Sequence, residues 1–238
     1  MNIRGIAHRG YPVEYPENTI SSFRAAIEMG FTHMELDVHL TKDGVPVVMH
    51  DATIDRMTDG RGEIRQYTFQ ELQAFRIKAT EERIPTLAQV LRVAKGKIIV
   101  SIELKDTKLY KRIEEKVVEV VNQLEMMDEV YFISFNHDSL KKLRSLSPEA
   151  QVGPLVNRVK RSHFKLMEKI DAKYLAVRYD GLKEKYVNKC EDLGIQLVVW
   201  TVNTKEQMIQ VEKYPSILTT TDELQRYKEH FYPTLSMN

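Results

Sequence analysis

The chain has 238 residues, 35 basic against 34 acidic side chains, 42% hydrophobic content and only 10 glycines and 8 prolines. That balance excludes a low-complexity or disordered chain and the broad basic field of a non-specific nucleic-acid binder, and it suits one large domain or two small ones. A single cysteine, Cys190, rules out an internal disulfide, and the longest run free of charged residues, 193–204, is far short of the roughly 20 apolar residues of a membrane span.

The first eight residues carry charge and a histidine where a signal peptide needs an apolar run, so a cytoplasmic protein is expected, with no integral membrane association. Strand-like runs then occur at 3–7, 33–39, 45–50, 97–104, 130–134, 151–155, 174–178, 195–201 and 217–219. Helix-like segments fall between them at 19–29, 69–75, 87–94, 110–126, 137–145, 162–170, 183–193 and 205–212. Strands that alternate with helices predict a parallel α/β fold, and a (β/α)8 TIM barrel of about 250 residues fits best. One strand candidate is surplus to a barrel of eight. Asp43-Gly44, between two apolar runs, is the signature of a tight hairpin, so one run is accessory or antiparallel, and periodicity does not say which. No linker divides residues 1–238, so a single barrel domain is expected. Segment 52–83, rich in charge and holding Gly60 and Gly62, reads as a lid-like insertion over the active face.

In a barrel the C-terminal strand ends converge on one face. His8, Arg9, Glu35, Asp37, His50, Glu103 and Lys105 all stand near such ends. Glu35 and Asp37, two apart in a strand, share one side of it. With Glu103 they form a set of oxygen donors suited to a hard cation, Ca²⁺ or Mg²⁺. His8 and His50 have the intrinsic pKa of an acid–base pair near neutral pH. Arg9 and Lys105 supply positive charge for a phosphate, or balance the carboxylates. Together these residues describe metal-assisted phosphoryl hydrolysis. His33, His39, His137, His163 and His230 are assigned no role. Asn18 and Thr19 either cap the following helix or serve the site, and Trp200 either packs on substrate carbons or fills the barrel.

The ordered run His8-Arg9-Gly10, Pro16-Glu17-Asn18-Thr19, Glu35 through Asp51, Thr53-Ile54-Asp55-Arg56, Gly60-x-Gly62, Ile84-Pro85-Thr86-Leu87, Glu103-x-Lys105, Ser134-Phe135 and Trp200-Thr201-Val202-Asn203 closely resembles the glycerophosphodiester phosphodiesterase family. The resemblance covers most of the chain. It implies a barrel related to phosphatidylinositol-specific phospholipases, a divalent cation on Glu35, Asp37 and Glu103, His8 and His50 as acid and base, and Arg9 and Lys105 on the phosphate. It also implies hydrolysis of small diesters such as glycerophosphocholine or glycerophosphoethanolamine to an alcohol and sn-glycerol 3-phosphate. Water and the glycerol 2-hydroxyl both stand as first nucleophile.

Two departures from the family pattern bear on substrate choice. The chain lacks the Asp-Gly usual before the last strand and reads Tyr214-Pro215-Ser216-Ile217 there, and Tyr11 and Tyr15 make the mouth of the site more aromatic. Two other readings compete: hydrolysis of lysophospholipids, which requires an apolar or membrane-facing patch, and a non-catalytic phosphodiester-binding barrel. Near-neutral charge favours a small soluble diester over an anionic membrane surface as partner. Oligomeric state is left open.

Overall fold

The computed structural model describes residues 2–105 and 107–235. The β-branched runs form strands β1 (Ile3–His8), β2 (Phe31–Leu40), β3 (Pro46–Val48), β4 (Ile99–Leu104), β5 (Val130–Ser134), β6 (Val152–Val156), β7 (Tyr174–Arg178), β8 (Gln196–Trp200) and β9 (Leu218–Thr221). Their order is β1-β9-β8-β7-β6-β5-β4-β2, and a β1–β2 pairing closes it into a parallel eight-stranded barrel. The surplus strand is β3. It pairs antiparallel with β2 alone, opposite Val38, His39 and Leu40, because the turn through Asp43 and Gly44, with Gly44 at φ 78°, folds it straight back.

Helices α1 (Ile20–Glu28), α2 (Phe69–Leu72), α3 (Leu87–Ala94), α4 (Ile113–Gln123), α5 (His137–Leu146), α6 (Arg161–Lys169), α7 (Glu184–Asp192), α8 (Lys205–Val211) and α9 (Leu224–Phe231) surround the barrel and its insertion. Polar caps fix several of their starts. Thr86 with Gln89, and Thr204 with Gln207, form reciprocal capping boxes that satisfy otherwise orphaned helix N–H groups. The sequence reading missed α9. Its segment is densely charged, but Leu224 and Tyr227, three apart, are buried and Phe231 packs beside them, an apolar stripe short enough to escape a periodicity count.

Strand alternation divides the core. Side chains from one side of the strands, including Ile6, Tyr131, Ile133, Leu155, Ala176, Val198 and Leu218, fill the barrel interior. Their neighbours, such as Val130, Phe132, Leu175 and Val199, pack outward on the helices. A third cluster of Val47, Met49, Ile54, Ile64, Leu72, Ile77 and Ile84 lies between β3 and segment 52–83, so the insertion has an apolar core of its own. Among the described residues no helix is long and apolar enough to cross a membrane.

Candidate active site

Register brings the charged residues together. His8, the last residue of β1, sits opposite Glu35 of β2, and Asp37 two residues on sits opposite Glu103 of β4. All three carboxylates are buried, and one oxygen from each lies within 4.8 Å of the others. They line or underlie a cavity of about 180 Å³ together with His8, Arg9, His50, Lys105 and Trp200, so the structure gathers every residue singled out from the sequence.

The backbone turn after β1 is held in an uncommon shape. Arg9 adopts φ 58° and Gly10 φ 86°. A left-handed arginine is unfavourable by itself. Here it is fixed by Arg9 N–H donating to the Glu35 carbonyl at 3.1 Å and by Asn18 N–H donating to the Arg9 carbonyl at 3.0 Å. A Cβ on Gly10 would lie 2.6 Å from the Ser22 carbonyl carbon, so only glycine lets α1 approach this turn. Thr19 and Asn18 divide the roles left open above. Thr19 caps α1 by accepting from Ser22 N–H, whereas the Asn18 amide donates to Asp37 Oδ2 at 2.9 Å and orients it.

Electrostatics split the triad. Burial, then the neighbouring Asp37 and Glu103 charges, push the Glu35 carboxyl well above the usual carboxylate range. Burial and Asp37 push Glu103 up to about 6. For Asp37 burial acts in the same direction, but Lys105, Arg9 and the Asn18 amide outweigh it and hold the carboxyl low. Lys105 Nζ lies 2.9 Å from Glu103 and 3.5 Å from Asp37, and Arg9 Nε lies 3.3 Å from Asp37. Burial alone would lower both cations, yet the carboxylates beside them more than offset it, so each remains charged.

Each histidine is oriented by a carboxylate on Nδ1. His8 Nδ1 is 2.7 Å from Asp222, whose other oxygen accepts from the Asn203 amide at 2.6 Å. His50 Nδ1 is 2.7 Å from Asp51, which accepts from Arg56 of the insertion, and Arg56 also bonds Glu17, a partner of Arg9. Burial lowers the His50 pKa despite the pull of Asp37. His39, given no role from sequence, lies beneath, with Nε2 3.1 Å from the His50 carbonyl and Nδ1 bonded to Tyr110.

Asp222, Asp51, Arg56 and Asn203 were not predicted. Asp51 and Arg56 sit inside the motif run, and Asp222 directly follows the strand that neighbours β1; an acid at the C-terminal end of the last barrel strand is the signal that would have found it. The segment before β9, flagged as a departure, is anchored by the Arg4 guanidinium on the carbonyls of Pro215, Ser216 and Ile217. Trp200 ends β8 with its indole edge-on to Phe135, centroids 5.8 Å apart, and its buried Nε1 has no hydrogen-bond partner.

Whether the acidic triad suits a cation is decided by what its oxygens lack. Glu35 Oε1 and Asp37 Oδ1 are buried without a hydrogen-bond partner. Buried carboxylate oxygens are normally satisfied. Three such groups, which offer only oxygen donors, fit a hard divalent ion.

A model of the glycerophosphoryl diester phosphodiesterase family matches residues 8–225. The chain is 37% identical over 216 residues to a glycerophosphodiester phosphodiesterase of Caldanaerobacter subterraneus, covering 87% of this chain and 89% of that one. A glycerophosphodiester phosphodiesterase of Bacillus altitudinis is 32% identical over 213 residues, covering 85% and 87%. Among solved structures, an Oleispira antarctica phosphodiesterase in complex with the product sn-glycerol-3-phosphate superposes with TM-score 0.89 at 27% identity, covering 96% of each chain.

Proposed function

The chain belongs to the glycerophosphoryl diester phosphodiesterase family, and from that premise we propose that it hydrolyses glycerophosphodiesters such as glycerophosphocholine to sn-glycerol 3-phosphate and an alcohol. The reading assigns His8 and His50 as the acid–base pair, Glu35, Asp37 and Glu103 as ligands of one divalent cation, Mg²⁺ or Ca²⁺, and Arg9, Lys105 and Trp200 as the substrate-binding groups. The observation that carries it is the convergence of two carboxylate-oriented histidines, two cations and three buried carboxylates on one cavity.

When bound, the cation supplies Lewis-acid stabilisation of charge developing on the phosphoryl oxygens. The protein's own groups do the rest. Asp222 and Asp51 hold each imidazole by Nδ1, which leaves Nε2 to exchange protons in the cavity. One histidine takes the proton of the attacking hydroxyl and the other gives a proton to the departing alcohol oxygen. Arg9 and Lys105, kept charged by the carboxylates, offer a planar fork and a point charge to the phosphate. Trp200 and Phe135 present an apolar edge to the glycerol carbons. Segment 52–83 acts as a wall that orients His50 through Arg56 rather than as an open flap. A cytoplasmic location fits a chain whose one cysteine, Cys190, is buried and unpaired.

The test is product analysis with glycerophosphocholine and glycerophosphoethanolamine, in Mg²⁺, in Ca²⁺ and in chelator. Glycerol 3-phosphate is expected only when metal is present, and full activity in chelator overturns the metal assignment. His8→Ala and His50→Ala are each expected to lose about 10²–10⁴-fold in kcat. A loss below tenfold removes that histidine from the mechanism.

A further inference from the structure

The near-zero net charge hides a polarity. Residues 158–189 contain ten lysines and arginines against four acids, whereas the rest of the chain has 25 against 30. The ten cations are all exposed. Arg178 and Lys173 are paired with Asp180 and Asp171. Arg158, Lys160, Arg161, Lys183 and Lys185 form no ion pair among the described residues, and they cluster where β6 and β7 hand over to α6 and α7. That is the C-terminal end of the barrel, the face of the cavity. The two loops touch, since a Cβ on Gly181 would collide with the Asn157 carbonyl. By contrast the insertion on the far side of the cavity holds six basic and six acidic residues over 52–83. The turns at the opposite barrel end expose Glu125, Asp128, Glu149 and Asp192, with Lys95 and Lys97 beside them.

The same face is apolar. Of seven large hydrophobic side chains markedly exposed among the described residues, four, Val13 at 52%, Tyr15 at 42%, Leu109 at 49% and Phe135 at 47%, lie in loops that follow β1, β4 and β5, whereas Leu146, Leu193 and Ile209 lie on or just after the outer helices α5, α7 and α8. Phe135 also lines the cavity, so the apolar rim runs into the site. A soluble diester gives no reason to leave four such groups in water around the mouth. Exposed apolar tips and unpaired cations that share one face are an arrangement that inserts into a lipid interface while basic side chains meet anionic headgroups.

We propose that the catalytic face docks on an anionic lipid bilayer, with Arg158, Lys160, Arg161, Lys183 and Lys185 on the headgroups and Val13, Tyr15, Leu109 and Phe135 in the interface. The docking stands on the surface alone. It revises only the expectation that near-neutrality disfavours an anionic surface as partner. The basic residues come from two loops and two helix starts, so no single amphipathic helix announces them in the sequence.

The experiment is co-sedimentation of the metal-loaded protein with vesicles of phosphatidylcholine alone and of phosphatidylcholine mixed with phosphatidylglycerol, alongside hydrolysis of glycerophosphocholine in solution. The wild type is expected to sediment with the anionic vesicles and to be released as ionic strength rises from about 0.1 M to about 1 M, where screening shortens from about 10 Å to about 3 Å. The triple variant Arg158→Gln/Lys160→Gln/Arg161→Gln is expected to partition about a hundredfold more weakly, about fivefold per cation at ~1 kcal/mol each. Its hydrolysis of glycerophosphocholine should be unchanged, which certifies its fold. Leu109→Ser with Val13→Ser should weaken binding in a way that salt does not explain. Equal sedimentation with neutral and anionic vesicles, sedimentation with neither, or a triple variant that binds like the wild type overturns the docking. If glycerophosphocholine is not hydrolysed while anionic vesicles still capture the protein, the proposed activity falls and the docking surface stands.

Discussion

Burying three carboxylates within 4.8 Å of one another stores electrostatic strain that a cation relieves, and Glu103 allows it to be measured. Its pKa stands at about 6, against 4.5 for the free side chain. A folded-state pKa raised above the unfolded one means that the group stabilises the fold most below pH 4.5 and that this contribution disappears as pH rises through 6. At 1.36 kcal/mol per pH unit, the gap corresponds to about 2 kcal/mol. The raw pH dependence of the protein does not isolate it, because half-buried His33 titrates in the same range with the opposite sign. Burial and then Arg4 lower its pKa to about 4, so stability is lost as pH falls from 6.5 towards 4. The difference between wild type and Glu103→Gln cancels His33. Urea unfolding of the chelator-treated proteins at pH 4.5 and pH 7.5 should show the variant gaining about 2 kcal/mol on the wild type as pH rises. Excess divalent cation should remove that gain, since it stabilises only the wild type's deprotonated site. A wild-type–variant difference that does not change with pH refutes the reasoning.

Asp222→Asn keeps the shape beside His8 but exchanges an accepting carboxylate for an amide; kcat is expected to fall at least about a hundredfold with KM little changed, and a loss under tenfold in steady-state kinetics counts against the orienting role. Arg56→Ala, at a half-exposed position, should leave Tm within a few degrees while kcat falls about tenfold or more, because Asp51 and Glu17 lose their shared partner. Gly10→Ala combines a positive φ with a clash on Ser22, so denaturation should reveal a loss of about 2–4 kcal/mol; wild-type stability would contradict the close approach of α1.

The barrel was legible because strand and helix periods alternate along nearly the whole chain. The site was legible because Glu35, Asp37 and Glu103 interrupt apolar strands, where a charge needs a special reason. What escaped depends on closure. Asp222 lies 214 residues from His8 and meets it only because β9 returns beside β1. Arg56 orients His50 only because the insertion folds back along the β2–β3 hairpin. Periodicity could not single out β3 as the outlying strand, since three buried apolar residues look alike in parallel and antiparallel pairing. The basic cluster on the β6 and β7 loops was invisible for another reason: composition averages residues 158–189 with the more acidic remainder.

The place of β3 has a consequence for how activity fails. His8 ends a strand hydrogen-bonded on both sides within the closed barrel, whereas His50 follows an edge strand backed by the small cluster of Val47, Met49, Ile54 and Ile64. His8 and His50 thus stand on elements backed by apolar clusters of unequal size, and the smaller is expected to open at lower free energy. Heating should silence the enzyme before the barrel melts, with amide exchange across 45–84 marking the event, and cooling should restore activity without any need to refold the barrel.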